Sequence, residues 1–194
     1  MPTPPQQLSW FRLVIGHFRY GLHRWLPGQT TYVTIVRHPL QRVISHYLYL
    51  SQTNPTVLTA GKRRLDLVEA LELRVTVDLD NAMVRYFGGI DDHEVPPGTV
   101  GYEAYHRALH NLRTAFSFVA HQECADESYA AMRERFDWKA TAKLDLVNQN
   151  AAALDPFEQN RIRQAVEYHS HWDYLLYQEI LHLFPMPTAN TSLN

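Results

Sequence analysis

The chain has 194 residues, of which 45% are hydrophobic and 12% aromatic. This composition excludes a disordered chain and supplies enough apolar side chains for the core of one domain. The net charge of −2 argues against a general nucleic-acid-binding protein, and the single cysteine, Cys124, excludes an internal disulfide framework. The sequence has neither a long apolar window nor the pattern of a signal peptide. It therefore predicts a soluble, cytoplasmic protein without a transmembrane segment.

Charge is distributed unevenly along the chain. Residues 1–65 contain eight basic and no acidic side chains, so this section carries +8 and the remainder carries −10. A cationic section beside an anionic one can draw negatively charged ligands into a cleft. We place that cleft at Arg37 and Arg42, whereas Lys62, Arg63 and Arg64 can equally form a solvated basic loop.

The best-defined elements are a strand and the helix that follows it. Residues 31–36 are apolar and β-branched, which is typical of a buried parallel strand. Pro39 favours the first position of a helix, and apolar residues then recur at the three- and four-residue spacing of one buried face. The residues of that face are Leu40, Val43, Ile44, Tyr47 and Leu48.

The rest of the chain continues this alternation. Further strands are predicted over residues 13–16, 116–120 and 141–147. Further helices are predicted over residues 20–25, 65–75, 80–88, 102–114, 126–136 and 155–184, with Asp80 capping the third of them and a loop at 91–98. Alternating strands and helices predict an α/β fold, a three-layer, mostly parallel sheet flanked by helices. Residues 1–187 are predicted to form a single domain and 188–194 a frayed tail.

The junction between strand and helix is the strongest candidate for a binding site. Arg37 directly follows the strand, and Arg42 and Ser45 lie on the helix away from its buried face. A guanidinium beside the free N–H groups and the positive dipole end of a helix suits a phosphate group. A solvated strand end is the alternative, and it would explain the arginine and the serine if they stood alone.

These residues carry a resemblance to a known family. Arg37-His38-Pro39 with Arg42, Ser45 and Tyr47 resembles the segment of sulfotransferases in which an Arg and a Ser eight positions later hold the 3′-phosphate of 3′-phosphoadenosine 5′-phosphosulfate. The runs at residues 15–18, 20–23 and 80–86 are similar to the carbohydrate (family 2) branch. The resemblance implies a P-loop-NTPase-like fold, sulfuryl transfer to a carbohydrate hydroxyl, and no metal ion.

The resemblance also implies roles for individual residues. His17 is the candidate base for the acceptor hydroxyl, since an imidazole titrates near neutral pH. His23 is the alternative base and a candidate for binding the acceptor. Asn81 and Arg85, four apart on one helical face, are candidates for hydrogen bonds to the acceptor sugar, with an exposed polar face as the alternative. The aromatic residues of the last helix could stack on a ligand, but core packing is the favoured interpretation; they are Tyr168, Trp172, Tyr174 and Tyr177.

Three departures from the family pattern leave two functions open. No Lys-Gly-Ser/Thr loop precedes Gly16, His38 stands where the family has Asp, and residues 148–154 contain no basic side chain. The first function is that of a sulfotransferase whose N-terminal strand and loop are missing from this sequence or are replaced by other residues. Such a chain transfers sulfate poorly by itself, and is membrane-associated if an N-terminal segment is missing. The second is a non-catalytic relative that binds a nucleotide or polyanion.

Overall fold

The structure, a computed structural model, describes residues 13–139 and 156–187. The described part is a mixed α/β fold in which helices dominate and two strands form a parallel pair. The strands are β1 (Tyr32–Val36), β2 (Thr59–Ala60), β3 (Arg63–Arg64) and β4 (Phe116–His121). The helices are α1 (Pro39–Thr53), α2 (Leu67–Glu72), α3 (Ala82–Gly88), α4 (Tyr102–Ala115), α5 (Ala125–Phe136), α6 (Pro156–His169) and α7 (His171–Leu183).

The helix predicted to begin at Pro39 is confirmed, and so is the strand predicted over residues 31–36, which forms as Tyr32–Val36. The prediction that this strand is buried is wrong, since only Val36 is buried and Ile35 is 56% exposed. Strand β1 pairs in parallel with β4, with Val33 opposite Phe118 and Val36 opposite His121. Helix α1 begins at Pro39, whose fixed φ suits a first helical position. Because α1 follows β1 after only two residues, it begins at the carboxyl edge of the parallel pair.

The helices bury their apolar faces in two clusters. The first lies on the parallel pair, where Val36 and Val119 pack with residues of α3, α4 and α7. The second joins α1 to α2 and α6 through Val43, Leu71 and Val166. Leu40, Ile44 and Tyr47 pack against this second cluster, so the predicted buried face of α1 is confirmed at those positions.

Local sequence signals account for several helix ends. Asp66 accepts a hydrogen bond from Glu69 N–H at 2.8 Å, and the Glu69 side chain accepts one from Asp66 N–H at 2.9 Å. This reciprocal capping box begins α2 within the predicted helix at 65–75. Helix α3 ends at Gly89, whose φ of 58° is the left-handed conformation that glycine tolerates.

Several predicted elements differ from the structure. Residues 13–16 contain no strand, and Asn81 rather than Asp80 occupies the N-cap position of α3, without a capping hydrogen bond from its side chain. The long helix predicted over residues 155–184 is broken at Ser170 into α6 and α7. The described residues contain one parallel pair and one two-residue antiparallel hairpin, so a three-layer sheet is not seen among them. The strand predicted at 141–147 lies outside the described residues.

The break at Ser170 has a tertiary cause. The Asn81 side-chain carbonyl accepts hydrogen bonds from the backbone N–H groups of Trp172, at 2.9 Å, and Asp173, at 3.1 Å. In return, Asp173 accepts hydrogen bonds from the N–H groups of Met83, at 3.1 Å, and Val84, at 2.9 Å. Each of α3 and α7 therefore satisfies the free N–H groups at the start of the other.

Gly89 is expected to be intolerant of a side chain. An added Cβ would lie 2.3 Å from the Tyr20 carbonyl oxygen, and Tyr20 N–H in turn donates to Tyr86 O at 2.8 Å. We expect Gly89→Ala to lower the free energy of unfolding by about 2–3 kcal/mol, since the left-handed backbone alone costs about 1–2 kcal/mol. Urea unfolding measures the loss. Gly61→Ala is the matched control, because Gly61 has a similar φ of 64° and open space around it. Equal losses in the two variants would contradict the steric part of this prediction.

Candidate functional site

The candidate site is at the carboxyl edge of the parallel pair, where β1 ends and α1 begins. Arg37 is the first residue after β1, and the residue as a whole is half-buried. Its guanidinium makes no hydrogen bond or ion pair with any residue of 13–139 or 156–187. A guanidinium that has no acidic partner among the described residues has its five donors available for an oxyanion.

A carboxylate from the neighbouring strand end occupies the start of α1. The backbone N–H of His38 donates to Glu123 Oε1 at 2.6 Å, and Glu123 is exposed. The His38 side chain makes no capping hydrogen bond, as expected from its residue type. Glu123 therefore supplies the negative group that the helix start favours. Sequence reasoning missed Glu123, although it lies just beyond β4, and the carboxyl ends of parallel strands meet at one edge.

Ser45 and Arg42 have different environments on α1. Ser45 lies about 9 Å along the helix from Pro39, at about 1.5 Å per residue, and its half-buried hydroxyl has no hydrogen bond to a described residue. Arg42, predicted to flank the anion, turns to the interior instead. Its Nη1 donates to the Asp78 carbonyl at 3.0 Å, and its Nε lies 3.8 Å from the buried Asp173 carboxylate. Of the predicted nucleotide-binding residues, Arg37 and Ser45 keep groups that are available to a ligand.

Aromatic side chains of α7 form one wall beside His38. Its imidazole lies edge-on to Tyr174 and Tyr177, with ring centroids 5.5 Å and 5.3 Å away. Burial raises the pKa of Tyr177 to about 12, and the negative charge of Glu123 acts in the same direction. Tyr177 therefore remains a neutral phenol at physiological pH. Because it is 2% exposed, core packing is confirmed as its role.

Asn81 and Arg85, the candidate acceptor ligands, are interior residues. Asn81 is 4% exposed and donates to the Asp80 side chain and the His169 carbonyl, both at 3.0 Å, while its own carbonyl caps α7. Arg85 is 1% exposed, and its guanidinium donates to Asp80, to Val95 O at 2.6 Å and to a second loop carbonyl. Their polar groups are used to join α3, α7 and the 91–98 loop. Helical spacing predicted one shared face, but Asn81 has a left-handed backbone before α3 begins, and both side chains are buried.

His17 and His23 lie near a cleft at the opposite end of β1. This cleft, of about 590 Å³, is lined by residues 30–34 and by aromatic side chains that include Tyr86, Phe116 and Trp138. His23 belongs to its wall, and its Nδ1 lies 2.9 Å from the Tyr32 hydroxyl. His17 is exposed, and its neighbours Gly16 and Phe18 line the cleft.

The two predicted halves of the site are therefore apart. Thr34 is the last residue of β1 that lines the cleft. Arg37 follows three residues later, which corresponds to about 10 Å at about 3.3 Å per residue. A general base must come within hydrogen-bonding distance of the proton that it removes. The described structure thus places Arg37 at one end of β1, with Ser45 about 9 Å along α1, and leaves His17 and His23 near the other end.

Comparison with known protein families, curated proteins and solved structures finds no match for this chain. Among the described residues, no cluster of three or more His, Cys, Asp or Glu side chains could hold a metal ion. No helix in residues 13–139 or 156–187 is long and apolar enough to cross a membrane.

Proposed function

We propose that this protein is a sulfotransferase that moves a sulfuryl group from 3′-phosphoadenosine 5′-phosphosulfate to a hydroxyl, in the first instance of a carbohydrate. The observation that carries the proposal is the half-buried Arg37 at the carboxyl end of β1, whose guanidinium has no hydrogen-bond or ion-pair partner among the described residues. In sheets built from parallel strands, this edge is the one at which ligands bind. In this proposal, the parallel pair belongs to the central sheet of a three-layer, P-loop-NTPase-like fold, and α1 belongs to one of its helical layers.

The strand-end site offers three kinds of donor to the 3′-phosphate. Arg37 supplies a forked guanidinium, the start of α1 supplies backbone N–H groups and the positive end of its dipole, and Ser45 supplies a hydroxyl. Glu123 holds one of these N–H groups at 2.6 Å. Since Glu123 is exposed, its side chain can rotate into solvent when a phosphate takes its place.

The direct test is whether the protein distinguishes nucleotides by their 3′-phosphate. Isothermal calorimetry should show 3′-phosphoadenosine 5′-phosphate binding at least about tenfold more tightly than adenosine 5′-phosphate. A hydrogen bond to a charged group is worth about 1.5–3 kcal/mol, and about 1.4 kcal/mol is a factor of ten. Equal affinities for the two nucleotides would remove the nucleotide part of the proposal.

Glu123 should weaken nucleotide binding in the parent protein. We expect Glu123→Gln to bind 3′-phosphoadenosine 5′-phosphate several-fold more tightly, because one unit charge repels another by about 1 kcal/mol at 4 Å in water. Calorimetry on the variant measures the gain. Glu127→Gln, at an exposed position of α5, is the matched control and should change the affinity less than twofold. Weaker binding by Glu123→Gln would indicate that Glu123 helps to hold the ligand.

A second function, binding of a nucleotide or polyanion without catalysis, is favoured by one observation. His17 lies near the cleft at the opposite end of β1 from Arg37. A transfer assay with labelled 3′-phosphoadenosine 5′-phosphosulfate and a panel of sugars separates the two functions. A rate of sulfuryl transfer that is lower in His17→Ala than in the parent supports the sulfotransferase. Nucleotide binding without any transfer supports the non-catalytic binding protein.

A further inference from the structure

A separate small cavity lies where α2 ends, next to the junction of α6 and α7. Its volume is about 160 Å³, against about 30 Å³ for each water molecule in the liquid. The side chains that matter for its chemistry are those of Arg74, Asp80, Tyr168, His169, His171 and Trp172. None of these residues lines the cleft near His23 or belongs to the strand-end site.

The backbone at Arg74 is in an unfavourable conformation. Its φ is 52°, in the left-handed region, which costs a non-glycine residue about 1–2 kcal/mol relative to the ordinary helical region. Arg74 follows the last turn of α2, a position where glycine is the usual residue. Residues held in such conformations cluster at functional sites, where the surrounding structure enforces them. The backbone conformation therefore makes the Arg74 side chain a candidate for a functional role.

The guanidinium of Arg74 lies at the exposed rim of the cavity and has no partner among the described residues. It lies against the backbone of Gly98, so closely that a Cβ there would be 2.2 Å from Arg74 Cζ. It makes no hydrogen bond or ion pair with any residue that the structure describes. Asp80, the carboxylate in the cavity wall, is already bound by the Arg85 guanidinium and by Gly98 N–H at 2.9 Å. The positive charge of Arg74 is thus not neutralised by this wall.

Two aromatic side chains form part of the remaining wall. Trp172 is half-buried, and Tyr168 is 78% exposed with its ring edge-on to His169. Burial lowers the pKa of His169, and the charge of Arg74 acts in the same direction. His169 is therefore a neutral imidazole at pH 7, able to accept or donate a hydrogen bond without adding charge. Polar side chains such as Thr76 share the wall with apolar ones, so the cavity suits a ligand that has both a charged and an apolar part.

We infer that this cavity binds a small aromatic carboxylate, with the carboxylate on the Arg74 guanidinium and the ring against Trp172 and Tyr168. A planar guanidinium pairs with a carboxylate through two parallel hydrogen bonds, which a flat ligand can make while its ring faces the indole. The cavity volume of about 160 Å³ is larger than the volume that a single bare ion would occupy. This site does not depend on the function proposed for the strand end.

The test uses three probes on the full chain: benzoate, benzyl alcohol and acetate. Benzoate should bind at millimolar concentration and shift the backbone amide signals of Gly98 and His169 in ¹H–¹⁵N spectra. Benzyl alcohol, which lacks the charge, and acetate, which lacks the ring, should each bind at least about tenfold more weakly. Equal binding of acetate would overturn the aromatic part of the inference, and equal binding of benzyl alcohol would overturn the role of Arg74. No shift with tens of millimolar benzoate would overturn the site.

Arg74→Gly separates binding from folding. Glycine accepts the left-handed backbone, so this variant should melt at the same temperature as the parent or higher, yet bind benzoate at least about tenfold more weakly. Arg74→Lys keeps the charge without the fork and should bind with intermediate affinity. Arg37→Ala should leave benzoate binding unchanged. Arg74→Gly that keeps its affinity within twofold would overturn the inference.

Discussion

Replacing Asp173 by alanine should destabilise the protein by about 3–5 kcal/mol, the range for removing one partner of a buried ion pair. Asp173 is fully buried, and burial raises its pKa against the attraction of Arg42 and the two N–H donors of α3. The carboxylate accepts from Met83 N–H and Val84 N–H and lies 3.8 Å from Arg42 Nε. Alanine would leave the two N–H groups without their acceptor and the Arg42 guanidinium without a counter-charge in the interior.

This loss is a large part of the total free energy of unfolding of a single domain. Single domains are stable by about 5–15 kcal/mol, so Asp173→Ala should move the urea midpoint far down or leave the chain partly unfolded at room temperature. Asp173→Asn keeps one acceptor oxygen and should lose less. Glu167→Ala, at an exposed position of α6, is the control and should stay within about 0.5 kcal/mol of the parent.

A double variant tests the mechanism of this loss. Much of the cost should come from the buried guanidinium of Arg42, whose Nε and Nη2 have no hydrogen-bond partner among the described residues. Adding Arg42→Met to Asp173→Ala removes that orphaned charge and should recover part of the stability, giving a coupling energy above about 1 kcal/mol. If Asp173→Ala unfolds within about 1 kcal/mol of the parent, the reciprocal capping of α3 and α7 is not a principal support of the fold.

The parts of the fold that the sequence predicted are those with local causes. A run of β-branched residues is sufficient to indicate β1 without knowledge of its neighbours. Pro39 and the three- and four-residue spacing from Leu40 to Val43 and Ile44 do the same for α1. The break at Ser170 has no such local signal. It depends on Asn81, which lies 91 positions before Trp172 and accepts its N–H. The hydrophobic periodicity therefore predicted one continuous helix through Ser170, where the side-chain amide of the distant Asn81 begins a new helix.

The same distinction holds for the candidate site. Spacing on a helix shows which residues share a face, but not whether that face meets solvent or the core. It therefore grouped Arg42 with Ser45 on a face away from the core, whereas the buried Asp173 draws Arg42 inward. It likewise offered Arg85 to an acceptor, whereas the Asp80 carboxylate holds Arg85 in the interior. Charged side chains that find a buried partner are lost to ligand binding, and sequence alone does not reveal the partner.

Arg37 is the residue on which the proposed function depends most. We expect Arg37→Ala to weaken the binding of 3′-phosphoadenosine 5′-phosphate by about 1.5–3 kcal/mol, which is about 10- to 150-fold in the dissociation constant. Adenosine 5′-phosphate lacks the group that Arg37 is proposed to hold, so its affinity should change little. Calorimetry with both nucleotides measures the two effects on the same variant.

The absence of internal partners makes Arg37 an informative position. Because its guanidinium makes no hydrogen bond or ion pair with residues 13–139 or 156–187, alanine there removes no polar contact from the described fold. Arg37→Ala should therefore unfold at the same urea concentration as the parent, and a loss of affinity would belong to the ligand. Arg107→Ala, at an exposed position of α4, removes the same charge elsewhere and should leave both nucleotide affinities within twofold. Arg37→Lys should restore only part of the affinity, since a lysine keeps the charge but not the forked pair of donors. If Arg37→Ala and Arg107→Ala bind the 3′-phosphorylated nucleotide equally well, the phosphate is held elsewhere and the strand-end site is a solvated arginine beside a helix start.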